Sequence, residues 1–135
     1  MNTGQFNFAL SDGVVTPSAN SSLTTHTALV DNVTKALIVT IGNAYPGAVA
    51  TVSETITNSS TIPAKLTLNN TSFPPQLAIS EIKVNNLAYT DAMPIPTGDV
   101  TVSYKLTVPD LAGITIDKLT PYTGSTIFTF DQNTN

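Results

Sequence analysis

The feature that most constrains the fold is the strict alternation of apolar and polar side chains in residues 100–108. Valine, tyrosine and leucine occupy one set of positions, and threonine, serine and lysine occupy the other. A period of two is typical of a β-strand with one face buried and the other in water. No segment carries the apolar period of about 3.6 residues that a helix needs. The chain is therefore predicted to be built from strands.

Shorter segments of the same kind follow one another along the rest of the chain. Beside residues 100–108 and the N-terminal residues 5–10, strands are predicted at residues 27–30, 35–41, 48–57, 65–70, 77–84, 114–116 and 126–130. Pro, Gly and Asn separate them, as expected of turns, and residues 89–98 are predicted to form an irregular crossing loop. A total of about nine short strands predicts an all-β, two-sheet sandwich of immunoglobulin or jelly-roll type.

The N-terminal strand is predicted to stand apart from the body of the protein. Residues 5–10 alternate, with Phe6, Phe8 and Leu10 on one face. The next stretch, residues 11–26, is rich in Ser, Thr, Asn, Gly and Pro, a composition typical of a loop or tether. A length of 135 residues suits one domain. We therefore predict an N-terminal strand at 1–10, a tether at 11–26 and a β-sandwich domain at 27–135.

Charge and hydropathy bear on the partners of the chain. The net charge is −4, with five Lys and no Arg, and no basic cluster suited to phosphate binding occurs, so nucleic acid is not expected as a partner. The composition is 41% hydrophobic and only 10% charged, which is apolar for a protein that remains a monomer. Part of the apolar surface is therefore expected to contact neighbours.

The predicted location is extracellular or at the cell surface. No apolar run approaches the roughly 20 residues that a membrane span needs, and the N-terminus has no basic start followed by an apolar run. Such a chain is either cytoplasmic or has lost a leader. Five Asn-X-Ser/Thr sequons favour a secreted protein with its leader removed and supply candidate glycosylation sites. They lie at Asn20, Asn32, Asn58, Asn69 and Asn70.

Catalytic chemistry is not expected. His26 is the only histidine and there is no cysteine, so a two-histidine zinc site cannot form within one chain. A histidine triad is not expected either, because His26 lies in a Thr-rich stretch predicted to be a loop. No phosphate-binding, dinucleotide-binding or nucleophile-elbow motif occurs. We predict no enzyme, no metal and no cofactor. Glu54 falls on the apolar face of its strand, and we expect it at a groove rim or turned outward by a β-bulge.

Residues 43–66 carry a more specific pattern. Tyr45-Pro46-Gly47 precedes a Thr/Val-rich strand, and a turn at Asn58 leads to Ile62-Pro63 and a second apolar strand. This order resembles the family that includes the biofilm-matrix fibre protein TasA, camelysin and the archaeal bundling pilins. The turn of this family commonly has Asn followed by Thr-Gly, whereas here Ser59 and Ser60 follow Asn58.

The resemblance implies a secreted jelly-roll subunit whose N-terminal strand inserts into a groove of the next, identical subunit, with neighbouring filaments as further partners. Under this hypothesis the anchors are Phe6, Phe8 and Leu10, and the acceptor groove is lined by Val102, Tyr104 and Leu106. The rival arrangement is that the N-terminal strand pairs within its own sandwich.

A second function remains open from the sequence. A β-sandwich on a larger surface assembly binds glycans or proteins through loop aromatics, for which Tyr45, Tyr89 and Tyr122 are candidates. Such an adhesion module would remain a monomer. The peptidase label of camelysin does not transfer, because this chain has one histidine and no His-Glu-x-x-His motif.

Overall fold

The computed structural model describes residues 7–18, 25–69, 72–117 and 119–132. These residues form eleven strands and no helix. In chain order the strands are β1 (Phe8–Leu10), β2 (Val14–Pro17), β3 (Thr25–Asp31), β4 (Ala36–Gly42), β5 (Val49–Asn58), β6 (Ala64–Asn69), β7 (Ala78–Val84), β8 (Leu87–Ala88), β9 (Met93–Ile95), β10 (Gly98–Thr107) and β11 (Tyr122–Gln132).

The strands make two antiparallel sheets that pack face to face, which confirms the predicted all-β sandwich. The first sheet has the order β1-β5-β10-β7-β8, and β2 pairs with β5 on the same edge as β1. The second sheet has the order β3-β4-β11-β6-β9. Apart from the β1–β2 connection and the β3–β4 and β7–β8 hairpins, each strand is followed by a strand of the other sheet. The chain therefore crosses repeatedly from one sheet to the other.

The centre of the first sheet is the pair β5–β10. These two strands pair along ten consecutive positions, from Gly98 opposite Asn58 to Thr107 opposite Val49. β10 pairs on its other side with β7. The inward side chains of β10, among them Val102, are buried against the second sheet. The alternation in residues 100–108 thus predicted a central strand of the first sheet.

The turn before β5 has the predicted form. Ala48 N donates to Tyr45 O at 3.1 Å, and Gly47 has a φ of 87°. A type II turn needs such a left-handed residue at this position, and glycine adopts it without steric cost. Val108 N also donates to Ala48 O at 2.8 Å. The pairing of β5 with β10 therefore continues into the end of the Tyr-Pro-Gly turn.

Three local predictions are wrong. Residues 11–26 contain β2 and the start of β3 rather than only a tether. The expected crossing loop at 89–98 contains β9, in which Pro94 lies opposite Lys65; β9 is an edge strand, where proline is tolerated. Residues 114–116 form no strand. Two isoleucines on one face of a short stretch are not sufficient, because a strand also needs a neighbouring strand to pair with.

Candidate subunit-interface site: the seat of the N-terminal strand

β1 lies on the open edge of β5. Phe8, Ala9 and Leu10 are opposite Asn58, Thr57 and Ile56. The Leu10 side chain is 4% exposed and belongs to the core. β1 therefore completes its own sandwich, which is the arrangement weighed against strand donation.

The second apolar anchor of β1 is an aromatic stack. The Phe8 ring lies on the Phe130 ring of β11, with 4.0 Å between centroids and 8° between planes. Phe130 belongs to the second sheet, so the stack ties β1 to both layers. Such pairs contribute about 0.5–1.5 kcal/mol beyond the area that they bury.

Polar contacts hold the main chain of β1 on the side that faces away from β5. Leu10 N donates to Asn32 Oδ1 at 3.0 Å, and Asn32 Nδ2 donates to Leu10 O at 2.9 Å. Asn32 comes from the β3–β4 turn of the second sheet. Its carboxamide thus takes the place of a neighbouring strand and satisfies both main-chain groups of one residue.

A second polar contact holds the residue just before β1. Asn7 N donates to Ser60 Oγ at 2.7 Å, and the same hydroxyl donates to Asn7 O at 3.1 Å. Ser60 is buried and is itself held by Asn58, whose Oδ1 accepts from Ser60 N at 3.0 Å. We call the set formed by residues 56–58 of β5 with Asn32, Ser60 and Phe130 the seat.

A β-bulge separates β1 from β2. Leu10 is opposite Ile56 and Val14 is opposite Ser53. Three residues therefore separate the two positions on the edge strand, whereas only two residues separate their partners on β5. The extra residue bends the edge towards the second sheet. There Val30 N donates to Asp12 Oδ1 at 3.1 Å, and Gly13 N donates to Ala28 O at 3.0 Å.

The surroundings of Gly13 at the bulge are crowded. A Cβ at this position would lie 3.0 Å from Leu37 Cδ1, 3.1 Å from Ala28 Cβ and 3.1 Å from Ser53 O. The edge of the first sheet therefore approaches β3 and β4 so closely that a larger residue here would require its neighbours to shift by a few tenths of an ångström.

Glu54 lies under the bulge and is not turned outward, so the expectation of an exposed carboxylate is wrong. The residue is 1% exposed, because the bulge occurs on the neighbouring edge strand and leaves β5 regular. Neither carboxylate oxygen has a hydrogen-bond partner among the described residues, and the same holds for the hydroxyls of Tyr104 and Thr126.

The environment of Glu54 changes its protonation. Burial raises the pKa of the carboxyl to about 8, and the negative charge of Asp12 adds to the rise. The Ser11 N–H has the opposite effect on this pKa, but it donates its own hydrogen bond to Thr55 O at 3.2 Å. Glu54 is therefore predominantly neutral at pH 7, as expected for a buried acid without a cationic partner.

The residues of the predicted acceptor groove face the core on a central strand, and their role in receiving a strand stays a prediction. Val102, Tyr104 and Leu106 are 0–2% exposed in the core. β10, which carries them, is paired on both sides, with β5 and with β7. A central strand offers no free edge, so the edge that receives β1 is that of β5. Of the predicted anchors, Phe8 and Leu10 lie in the seat, and Phe6 lies outside the described residues.

The sequons differ in their surroundings. Asn58 is buried, accepts from Ser60 N and donates from Nδ2 to Pro96 O at 2.9 Å. Its side chain is enclosed in the folded protein, and glycosylation at Asn58 stays a prediction. Asn32 and Asn69 are exposed, whereas Asn20 and Asn70 lie outside the described residues.

A groove of about 350 Å³ opens beside the bulge, between β2 and β3. Its lining includes Asp12, His26 and the exposed side chains of Val14 and Leu29. Across the described parts of the chain, no group of three or more His, Cys, Asp or Glu side chains is placed to hold a metal ion. The described residues also contain no apolar helix long enough to cross a membrane.

No family model, curated protein or solved structure matches the chain. The resemblance to the TasA-like family is therefore neither supported nor contradicted by these comparisons and stays a prediction.

Sequence reasoning missed the polar half of the seat. Asn32 and Ser60 contact residues that are 22 and 53 positions away in the chain, and both have the composition of ordinary turn residues. One signal was available for the bulge. The inward residues Leu10 and Val15 are separated by an odd number of positions, which a regular strand cannot place on one face.

Proposed function

We propose that this chain is a structural subunit of an extracellular filament, in which β1 of one copy occupies the seat of the next. The observation that carries the proposal is the construction of the seat. A short edge strand is held by an apolar pocket at two positions and by main-chain hydrogen bonds elsewhere. This combination is how added strands are recognised in proteins.

Exchange between copies would keep every contact that the closed monomer makes. A neighbour's β1 would pair with β5, place Leu10 in the core, stack Phe8 on Phe130 and bond to Asn32 and Ser60. Because the same contacts form in either arrangement, their free energies cancel, and concentration and strain in the connection decide between them. The seat is then never left as an exposed sheet edge.

The outer face of the second sheet is the proposed contact between neighbouring filaments. Leu29 of β3 lies opposite Ile38 of β4, and Ile127 of β11 is close by, opposite Ala36. All three side chains are at least one-third exposed. Adjacent apolar side chains on a solvent-facing sheet are typical of protein contact surfaces.

Engineered cysteines test the exchange directly, because the natural chain has none. Ala9 and Thr57 are opposite one another and both exposed. In a hydrogen-bonded antiparallel pair the Cα atoms are about 5.5 Å apart, within disulfide range. The double variant Ala9→Cys/Thr57→Cys, assembled first and oxidised second, should give a covalent ladder on a non-reducing gel.

A mixing experiment tests whether the disulfides form by random collision between chains. Equal amounts of the single variants Ala9→Cys and Thr57→Cys should form disulfide dimers of one copy of each. The pair Ala9→Cys and Thr129→Cys, whose second residue is exposed on the other sheet, should not. If the double variant forms its disulfide only within one chain at every concentration, strand exchange is refuted.

Deletion of residues 1–10 should abolish filaments in negative-stain micrographs, because no strand remains to be donated. The shortened protein should bind a synthetic peptide of residues 1–13 in place of the missing strand. Normal filaments from the deleted chain would contradict the proposal.

The alternative is a surface β-sandwich that binds glycans or proteins and remains a monomer. Two observations favour it: β1 lies on its own β5, and the groove between β2 and β3 exposes Val14 and Leu29 beside His26. Light scattering separates the two functions. A mass that stays monomeric from micromolar to millimolar concentration favours the module, and a mass that grows with concentration favours the filament.

A further inference from the structure

Asn32 occupies an unusual position for a sequon asparagine. It opens the β3–β4 turn at residues 32–35, and the shape of the turn is set by its neighbour. Asp31 Oδ1 accepts from Val33 N at 2.9 Å and from Thr34 N at 3.4 Å. The Asn32 side chain is thereby left to reach across to β1, where it makes both bonds to Leu10.

The two bonds use one edge of the Asn32 carboxamide. Oδ1 accepts while Nδ2 donates to the same residue, so the hydrogen involved is the one on the same side of the amide as Oδ1. The other hydrogen of Nδ2 points back towards Cβ. The contact therefore depends on one particular N–H bond of the side chain.

N-glycosylation replaces that hydrogen. A glycosyl transfer from a lipid-linked sugar diphosphate forms a bond between Nδ2 and the anomeric carbon, breaks the bond from that carbon to the diphosphate, and releases one Nδ2 hydrogen as a proton. The product is a secondary amide, which prefers the trans form. In that form the sugar lies on the same side as Oδ1, where Leu10 O sits in the closed protein.

We propose that Asn32 is a modification-sensitive latch: as a free carboxamide it fastens β1 to the seat, and as a glycosylated residue it cannot. A glycan at this position thus releases β1 while leaving the rest of the sandwich folded. Asn69 serves as the comparison, because it is exposed at the end of β6 and lies opposite Ile127 of β11 rather than opposite β1. The latch acts in the monomer and does not rest on filament formation.

The test compares three full-length proteins purified as monomers from a glycosylating host. The wild type keeps all sequons. Thr34→Val removes the Asn32 sequon with an isosteric change but keeps the carboxamide, and Asn69→Gln removes the exposed sequon as a control. Peptide mass spectrometry gives glycan occupancy, and hydrogen exchange of the peptide that covers residues 7–13 reports on β1.

We expect wild-type molecules with a glycan on Asn32 to exchange the Leu10 amide at least about tenfold faster than Thr34→Val molecules, since this amide loses its hydrogen bond. Loss of the Asn69 glycan should leave the exchange unchanged. Equal Leu10 exchange with and without the Asn32 glycan would overturn the proposal. So would a host that glycosylates Asn69 fully and never Asn32.

A substitution in unglycosylated protein tests the latch without any sugar. Asn32→Asp keeps an oxygen acceptor but removes the donor and sets a carboxylate against Leu10 O. It should accelerate Leu10 exchange to a similar extent, while exchange in the β5–β10 pair stays as in the wild type. Unchanged protection of Leu10 in Asn32→Asp would show that the carboxamide is not a latch. Because exchange is read in monomers, this result is independent of the filament proposal.

Discussion

β10 and β1 are the two extremes of the first sheet. β10 pairs on both sides and buries its inward side chains completely. β1 has three residues, one strand neighbour and, on its other side, the side chain of Asn32. The first is stabilised by packing that no single contact dominates, and the second by a few contacts that can be counted. Stability is therefore expected to differ sharply between them.

The largest effect should come from the same substitution made in both strands. Leu106→Ala in β10 removes a fully enclosed side chain and should lower the free energy of unfolding by about 2–5 kcal/mol. Leu10→Ala in β1 should lower it by less than about 2 kcal/mol, since an edge strand can open by itself. Urea denaturation gives both values. Equal losses would mean that β1 unfolds only together with the core.

Hydrogen exchange sharpens the same comparison. Leu10→Ala should accelerate exchange in residues 7–17 and leave β10 protected. Leu106→Ala should accelerate exchange throughout the two sheets.

Glu54 should give the next largest effect, and this effect depends on pH. The folded-state pKa of about 8 exceeds the ordinary pKa of a glutamate carboxyl, 4.5. Between these values the folded chain retains a proton that the unfolded chain releases, so stability is greatest below about pH 4.5 and falls as the pH rises to about 8. Glu54→Gln cannot ionise, so its stability relative to the wild type should rise by about 4 kcal/mol between pH 4 and pH 8.

The measurement is the difference in unfolding free energy between wild type and Glu54→Gln at pH 4, 6 and 8. Taking the difference cancels the surface carboxylates, Asp31 and Asp117, whose pKa values are lowered by hydrogen bonds to their own turns. A difference that stays constant with pH would mean that Glu54 is charged in the folded protein.

Phe8→Leu isolates the aromatic stack. The substitution keeps an apolar side chain but removes the ring, and should cost about 0.5–1.5 kcal/mol, expressed as faster exchange in β1. The control is Leu87→Ala at an exposed hairpin, which should change stability by less than about 0.5 kcal/mol. Unaltered protection of β1 in Phe8→Leu would assign the anchoring to Leu10 alone.

Ser60→Ala should have the smallest effect, about 0.5–1 kcal/mol. It removes the hydroxyl that accepts from Asn7 N and donates to Asn7 O, both of which can bond to water once exposed. Faster exchange at Asn7 alone would localise the loss. A loss as large as that of Leu106→Ala would instead indicate that Ser60 holds the core.

The sequence predicted what depends on neighbouring residues. The alternation in residues 100–108 predicted β10, and Tyr45-Pro46-Gly47 predicted the turn that Gly47 makes with a positive φ. The seat depends on contacts between distant residues, and a turn asparagine gives no sign of the strand that it will bond. The edge strands were missed because proline in Pro17 and Pro94 resembles a loop residue, although an edge tolerates it.

The polar contacts of the seat are hydrogen bonds to main-chain N–H and C=O groups of residues 7 and 10. Every residue except proline carries both groups. Within residues 7–10, only positions 8 and 10 place an apolar side chain in the seat. In the proposed filament, the contact between copies would therefore depend little on the rest of the inserted sequence. Under that proposal, chains with divergent N-terminal sequences but apolar residues at those two positions would be mutually compatible, so one fibre could be assembled from a mixed population of subunits.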